Sequence, residues 1–265
     1  MLIERIEQRV LGALRIIDRV TLVPVSRPLQ LTSTNATVVR NMRGYYVVTS
    51  AEGLESHTEA FLQPPPTPAL EHNAYSFEIA DPQKRYLPRL VTLRLPRDPN
   101  PANIGNANSL FRPQDVAMYA ASTAPLSHNW STIRATVTQG AGHTPVRGAL
   151  LRVFDAADDT LLASGISDEH GEALVIVPGV PVTKFADEED VAPGHGHGEG
   201  HGESHAEPPV IVSTLPVRLE LSLDAAAPWP ANPDVLEQGH AANRRTSMGL
   251  TLSTGRMERV TINLT

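Results

Sequence analysis

TPVRGALLRVFDAADDTLLASGISDEHGEALVIV, residues 144–177, decides the fold of this chain. It reads as four short β-strands joined by turns. In PVRGALLRVFD the apolar positions alternate, with Val146, Ala149, Leu151 and Val153 as inward candidates. Polar residues at 155–159 break that run, and TLLASGIS resumes extended structure. Asp168-Glu169-His170-Gly171 is a turn, and EALVIVPG is a strand closed by Pro178-Gly179. Short strands separated by turn chemistry at this spacing specify an all-β sandwich.

A second copy of the pattern precedes it. ALRIIDRVTLVPVSRPLQL parallels TIRATVTQGAGHTPVRGALLRV, with Pro24-Val25 answering Pro145-Val146 and Leu29-Gln30-Leu31 answering 150–153. NMRGYYVV answers DEHGEALV, which sets Gly44 opposite Gly171. From Pro to Gly the first copy runs 20 residues and the second 26, and the difference falls in the hairpin carrying 155–159. The stretch 144–177 resembles a carboxypeptidase regulatory-like (transthyretin-like) domain. The residues that carry the likeness are Pro145, Val146, Gly148, Ala149, Val153, Ser167, Asp168 and Gly171. The resemblance implies a sandwich that serves mostly as a non-catalytic building block.

The expected architecture is all-β: two tandem immunoglobulin-like or transthyretin-like β-sandwiches, residues 1–105 and 106–265, with a short N-terminal helix. That helix is read from Leu2, Ile3, Ile6, Val10, Leu11 and Leu14, whose spacings of three and four make one stripe. Residues 99–108, PNPANIGNAN, have no periodicity and many turn formers, and are the expected linker. Trp130 is expected at the seam between the domains, a short helix within 232–245, and a closing hairpin over 246–265. Residues 184–208 interrupt the second sandwich as a His-, Gly- and acid-rich loop, of which Asp187 to Glu207 is expected to be exposed and mobile and to bear deletion.

Composition excludes several functions. There is no cysteine, so no disulfide, thiolate metal site or cysteine nucleophile, and a reducing compartment is favoured. The net charge of −7 sits in one interval: Asp187, Glu188, Glu189, Asp190, Glu199, Glu203 and Glu207 occur with no Lys or Arg among them. Outside it, acids balance bases, which is not the basic footprint of a nucleic-acid binder. No stretch approaches the ~20 apolar residues of a membrane span, and MLIERIEQRV lacks the apolar core of a signal peptide. The expected location is the cytoplasm.

The candidate metal ligands are His195, His197, His201 and His205 in GHGHGEGHGESH, a set that suits Zn or Ni, with Glu199 and Glu203 able to assist. Glycine alternates through the run, and ordering so free a backbone costs ~1–2 kcal/mol per residue. That weighs toward a solvated acidic loop over a closed site. No nucleophile elbow, zinc-protease helix or phosphate loop is present. The chain ends Ile262-Asn263-Leu264-Thr265 and so departs from the tail of the transthyretin-like hydroxyisourate hydrolases. Tyr45 and Tyr46 with His57 or His72 match no spacing of the intradiol dioxygenases, and the tyrosines read as strand residues. His170 reads as a turn residue. No catalytic residue is assigned.

Arg43-Gly44-Tyr45, Asp81-Pro82, Arg85-Tyr86-Leu87-Pro88 and Leu95-Pro96-Arg97, with a regulatory-like domain behind them, resemble proteins of phage-tail-like contractile injection systems. The resemblance implies a non-enzymatic baseplate, spike-tip or sheath-associated subunit whose partners are other protein subunits. The alternative is a soluble module that binds a carbohydrate, or a metal through the His-rich loop. Only twelve aromatic residues serve the whole chain, few for a carbohydrate platform.

Overall fold

A computed structural model of the chain describes residues 9–59, 65–180, 183–185, 210–212 and 214–265. In chain order the first sandwich contains β1 (Gly12–Asp18), β2 (Gln30–Thr32), β3 (Ala36–Arg40), β4 (Tyr46–Ala51), helix α1 (Glu55–Glu59), β5 (Asn73–Ala80), β6 (Arg89–Leu95) and β7 (Gln114–Met118). One sheet has the order β3-β4-β1-β7 and the other β2-β5-β6. β5 buries every second side chain, with Tyr75, Phe77 and Ile79 pointing inward. Leu14, Val48 and Val116 of one sheet meet Phe77, Val91 and Leu93 of the other in a common core.

The second sandwich contains β8 (Ser131–Gln139), β9 (Thr144–Pro145), β10 (Leu150–Asp155), β11 (Leu161–Ile166), β12 (Glu172–Val177), β13 (Thr183–Phe185), β14 (Val210–Val212), β15 (Thr214–Ser222), helices α2 (Pro233–Gln238) and α3 (His240–Asn243), β16 (Arg244–Ser253) and β17 (Met257–Leu264). Its sheets run β12-β8-β17 and β11-β10-β15-β16, with β9 on β8 and a separate β13-β14 pair. The stretch 144–177 is β9 to β12. Ala149, Leu151 and Val153 are fully buried and Val146 nearly so, in a core shared with Ile133, Val175, Leu219 and Ile262. The all-β sandwich expectation holds.

Both sandwiches use one plan. Each opens with a strand that pairs antiparallel with the strand after the turn glycine and parallel with the last strand: β1 with β4 and β7, β8 with β12 and β17. The Val25 N–H donates to the Ile16 carbonyl and the Val146 N–H to the Val137 carbonyl, both at 2.9 Å. The plans diverge at one strand. β3 pairs with β4, whereas its counterpart β11 pairs with β10 on the opposite sheet.

Four expectations change. The helical stripe runs into β1, where Leu14 and Ile16 are buried at the period of a strand, and the Leu11–Leu14 spacing is not specific to either; residues 1–8 lie outside the described residues. β7 pairs with β1, so the first sandwich extends past the expected boundary at 105/106. The expected linker 99–108 is a closed loop on the first sandwich. The Asp98 N–H reaches the Asn108 carbonyl, the Leu110 N–H reaches the Asp98 carbonyl, and buried Arg97 donates to the carbonyls of Ser109 and Ala107. Finally, β16 and β17 turn at Gly255 but do not pair: the chain arches from one sheet to the other, burying Leu252 and Ile262 on either side of the core.

Candidate interaction surface

The junction of the two sandwiches is built by α2. Asn232 caps it, its side-chain oxygen accepting from the Asp234 N–H, with Pro233 in the first turn. Leu236 and Ala231 join Leu87, Tyr119, Ala121, Leu150 and Ile166 in an apolar cluster drawn from both sandwiches. Trp229 packs on this cluster, and Trp130, expected at the seam, is half-buried and absent from it. The Leu90 N–H donates to the Ala231 carbonyl at 2.8 Å.

Two acids of α2 take arginines of the first sandwich. Arg89, only 2% exposed, donates to Asp234 at 2.6 Å and to the Ala117 carbonyl. Glu237 accepts from Arg19 (3.3 Å), the Tyr119 hydroxyl (2.9 Å) and the Ser164 hydroxyl (3.1 Å), and Arg19 also donates to Ser164. Burial, together with the negative charge of Glu237, pushes the Tyr119 hydroxyl up to about 12. That phenol stays protonated and serves as a fixed donor. The arrangement holds the two sandwiches together.

The four histidines of the candidate metal set, His195, His197, His201 and His205, lie outside the described residues, so their arrangement is not part of this site. Their segment is rooted on β13 and β14, paired from Thr183↔Val212 to Phe185↔Val210. β14 leads into the Thr214 end of β15, and it is the Ser222 end that pairs with Leu150 at the junction. The root is therefore at the end of the sandwich away from the junction. Among the described residues no group of three or more His, Asp or Glu is placed to hold a metal ion.

The remaining candidates read as structural. Tyr46 is buried in β4, its hydroxyl donating to the Leu29 carbonyl and accepting the Leu29 N–H. Tyr45 lies just before the strand, its N–H on Asn41. His57 is buried beside a proline-rich cleft of ≈ 240 Å³ that includes Pro66, Pro68 and Pro96. Burial, and then the charge of Arg9, lower its pKa, so it stays neutral. His170 is exposed beside Glu169.

What the surface offers is strand edges. β2 is three residues long, and β6 is covered by the Ala231 contact. β3 carries Arg40 and a register break between Thr37 and Val38. β7 has Asp115 paired to Arg15, and β17 carries Glu258 and Arg259. Charges, bulges and shortness of this kind protect edges from pairing. β16 differs. It ends its sheet, it is ten residues long, and 246–253 contains neither charge nor proline. Its register on β15 is unbroken from Thr214↔Ser253 to Leu221↔Thr246. On the same sheet Phe154 lies between the guanidiniums of Arg152 (4.8 Å) and Arg218 (4.6 Å), and Glu220 accepts from Arg218 and Arg244.

No protein-family model matches the chain, and no curated protein matches it. Among solved structures it is similar to GBS52, the minor pilin of the Gram-positive pathogen Streptococcus agalactiae. The sequence identity is 10%, the TM-score is 0.27, and the match covers 96% of this chain and 95% of that one. The sandwich assignment stands on the strand pairing and cores described above. No described helix is long and apolar enough to cross a membrane.

Proposed function

We propose that the chain is a non-enzymatic structural subunit that works through protein–protein contacts in a phage-tail-like contractile injection particle, as a baseplate, spike-tip or sheath-associated part. The observation that carries the structural role is the junction. An apolar cluster ringed by Arg89–Asp234 and Arg19–Glu237 joins the sandwiches as one spacer. A rigid spacer suits a part whose task is to hold neighbours at a fixed separation. Asp18, Asp81, Asp98, Asp155 and Asp168 cap turns, and Asp234 and Glu237 serve the junction. The particular particle rests on the sequence resemblance through Arg43-Gly44-Tyr45, Asp81-Pro82 and Arg85-Tyr86-Leu87-Pro88. In the structure those residues form two Asx-type turns and the start of the junction, where Asp81 accepts the N–H groups of Gln83 and Arg85.

The test is purification of the tagged protein from its native host with identification of what accompanies it. Tube, sheath or baseplate subunits are expected. Their absence from a protein that is specifically retained on a glycan array would replace this reading with the soluble binding module.

A further inference from the structure

We propose that β16 is a strand-addition edge for a second copy of this chain, the two strands pairing antiparallel about a two-fold axis through Gly249. The edge is long, uncharged over 246–253 and unpartnered among the described residues. Such an edge is a template for pairing, and added strands are held by main-chain hydrogen bonds. The sequence of β16 selects the occupant. An axis through a residue, normal to the sheet, sets each side chain opposite one from the same face, because faces alternate along a strand.

With the axis on Gly249, the pairs nearest the axis match in kind, and farther out Thr246 faces the buried Leu252. Met248 and Leu250, half-buried against the core of their own sandwich, each lie opposite the other residue of the second copy. Ser247 and Thr251, both exposed, oppose each other in the same way, and Arg245 faces Ser253. No like charges are opposed. Gly249 meets itself on the outer face, where a Cβ would encounter nothing within 4 Å. Of the neighbouring axes, one on Met248 would set Thr246 against Leu250 and Arg244 against Leu252, whereas one on Leu250 would set Met248 against Leu252 and Leu250 against itself; cross-linking at 249 distinguishes these registers. Joined in this way, two four-stranded sheets become one continuous sheet across the axis.

This inference does not rest on the particle reading. The experiment uses the full chain in sedimentation equilibrium, where a dimer is expected. Self-opposed Cα atoms in an antiparallel ladder lie about 4.5–5.5 Å apart, within disulfide reach. The chain has no cysteine, so Gly249→Cys introduces a single thiol. Oxidation should cross-link it into a covalent dimer, while Met42→Cys, on an exposed turn of the first sandwich, should stay monomeric on a non-reducing gel. The double variant Ser247→Lys/Thr251→Lys sets lysines opposite each other twice and should abolish the dimer. Ser247→Lys/Thr251→Glu, which opposes unlike charges only in this register, should restore it and so show that the fold survives the changes. A monomeric wild-type chain, a dimer indifferent to the lysine pair, or equal cross-linking at position 42 would each overturn the proposal. A monomer that still copurifies with particle subunits would overturn the pairing and leave the assembly reading standing.

Discussion

Asn41-Met42-Arg43-Gly44 and Asp168-Glu169-His170-Gly171 make the same turn in the two sandwiches. In each, the first side chain accepts N–H groups two and four residues ahead: Arg43 and Tyr45 on Asn41, His170 and Glu172 on Asp168. In each, the glycine N–H returns to the first carbonyl at 3.0 Å, and the glycine sits at positive φ, 85° and 76°. The surroundings differ. A Cβ on Gly44 would meet only the end of the Arg40 side chain at 3.4 Å, whereas one on Gly171 would lie 2.4 Å from the Val137 carbonyl oxygen and 3.1 Å from the Val146 nitrogen. One local motif is thus an exposed hairpin tip in the first sandwich and a packed, immovable corner in the second.

The largest test of that contrast is Gly→Ala at each turn. Gly44→Ala should cost about 1–2 kcal/mol, the strain of a left-handed alanine. Gly171→Ala adds overpacking against backbone and should cost about 3–5 kcal/mol. Equal losses in denaturant titrations would erase the distinction. Next in size is removal of the acceptor. Asp168 is buried and also takes the Ser122 hydroxyl at 2.9 Å, so Asp168→Ala should cost about 2 kcal/mol, against about 1 for exposed Asn41→Ala. Asp234→Ala tests whether the sandwiches melt as one. Arg89 would stay buried without its carboxylate, but Asp234 is 51% exposed, so the loss is about 1 kcal/mol. Calorimetry should show the first sandwich melting ahead of the second in this variant and with it in the wild type.

The smallest expected effect is on acid stability. Burial raises the Asp81 carboxyl, but the N–H groups of Gln83 and Arg85 and the Arg27 guanidinium outweigh it and hold it below 3.8. A depressed carboxylate contributes stability that is present above its unfolded pKa and lost as pH falls through the folded one. His57, lowered below 6.5, favours the folded state in its neutral form, and that contribution declines as pH falls below 6.5. Both groups belong to the first sandwich. Protection of the amides at 73–95 against hydrogen exchange should therefore fall as pH falls, and Asp81→Asn should flatten the limb below 3.8.

Strand alternation, the Pro-Val pairs and the turn glycines were legible in the sequence because each is a local rule. Val25 and Val146 take the same backbone partner position nine residues earlier, as the alignment of the two copies implies. The sheet each strand joins was not legible. β3 and β11 are both short apolar runs, and the shorter first hairpin ends on the opposite sheet through tertiary packing. The arch between β16 and β17 looks like a hairpin because Ser253-Thr254-Gly255 is turn chemistry whichever sheet follows. The junction was hidden for a similar reason. Asn232-Pro233-Asp234 signals a helix start, but nothing local says that Asp234 and Glu237 meet Arg89 and Arg19, 145 and 218 residues away in the chain.

The parallel pairing of opening and closing strands also has a mechanical consequence. Tension entering before β8 and leaving after β17 pulls the two strands lengthwise in opposite directions. The load is then shared by the whole ladder from Met257↔Thr132 to Leu264↔Gln139, and no bond can be peeled open before the rest. The same geometry in β1 and β7 spans only Leu14↔Gln114 to Asp18↔Met118. Stretched in single-molecule force spectroscopy, the first sandwich should yield at the lower force and the second should act as the stronger shear clamp.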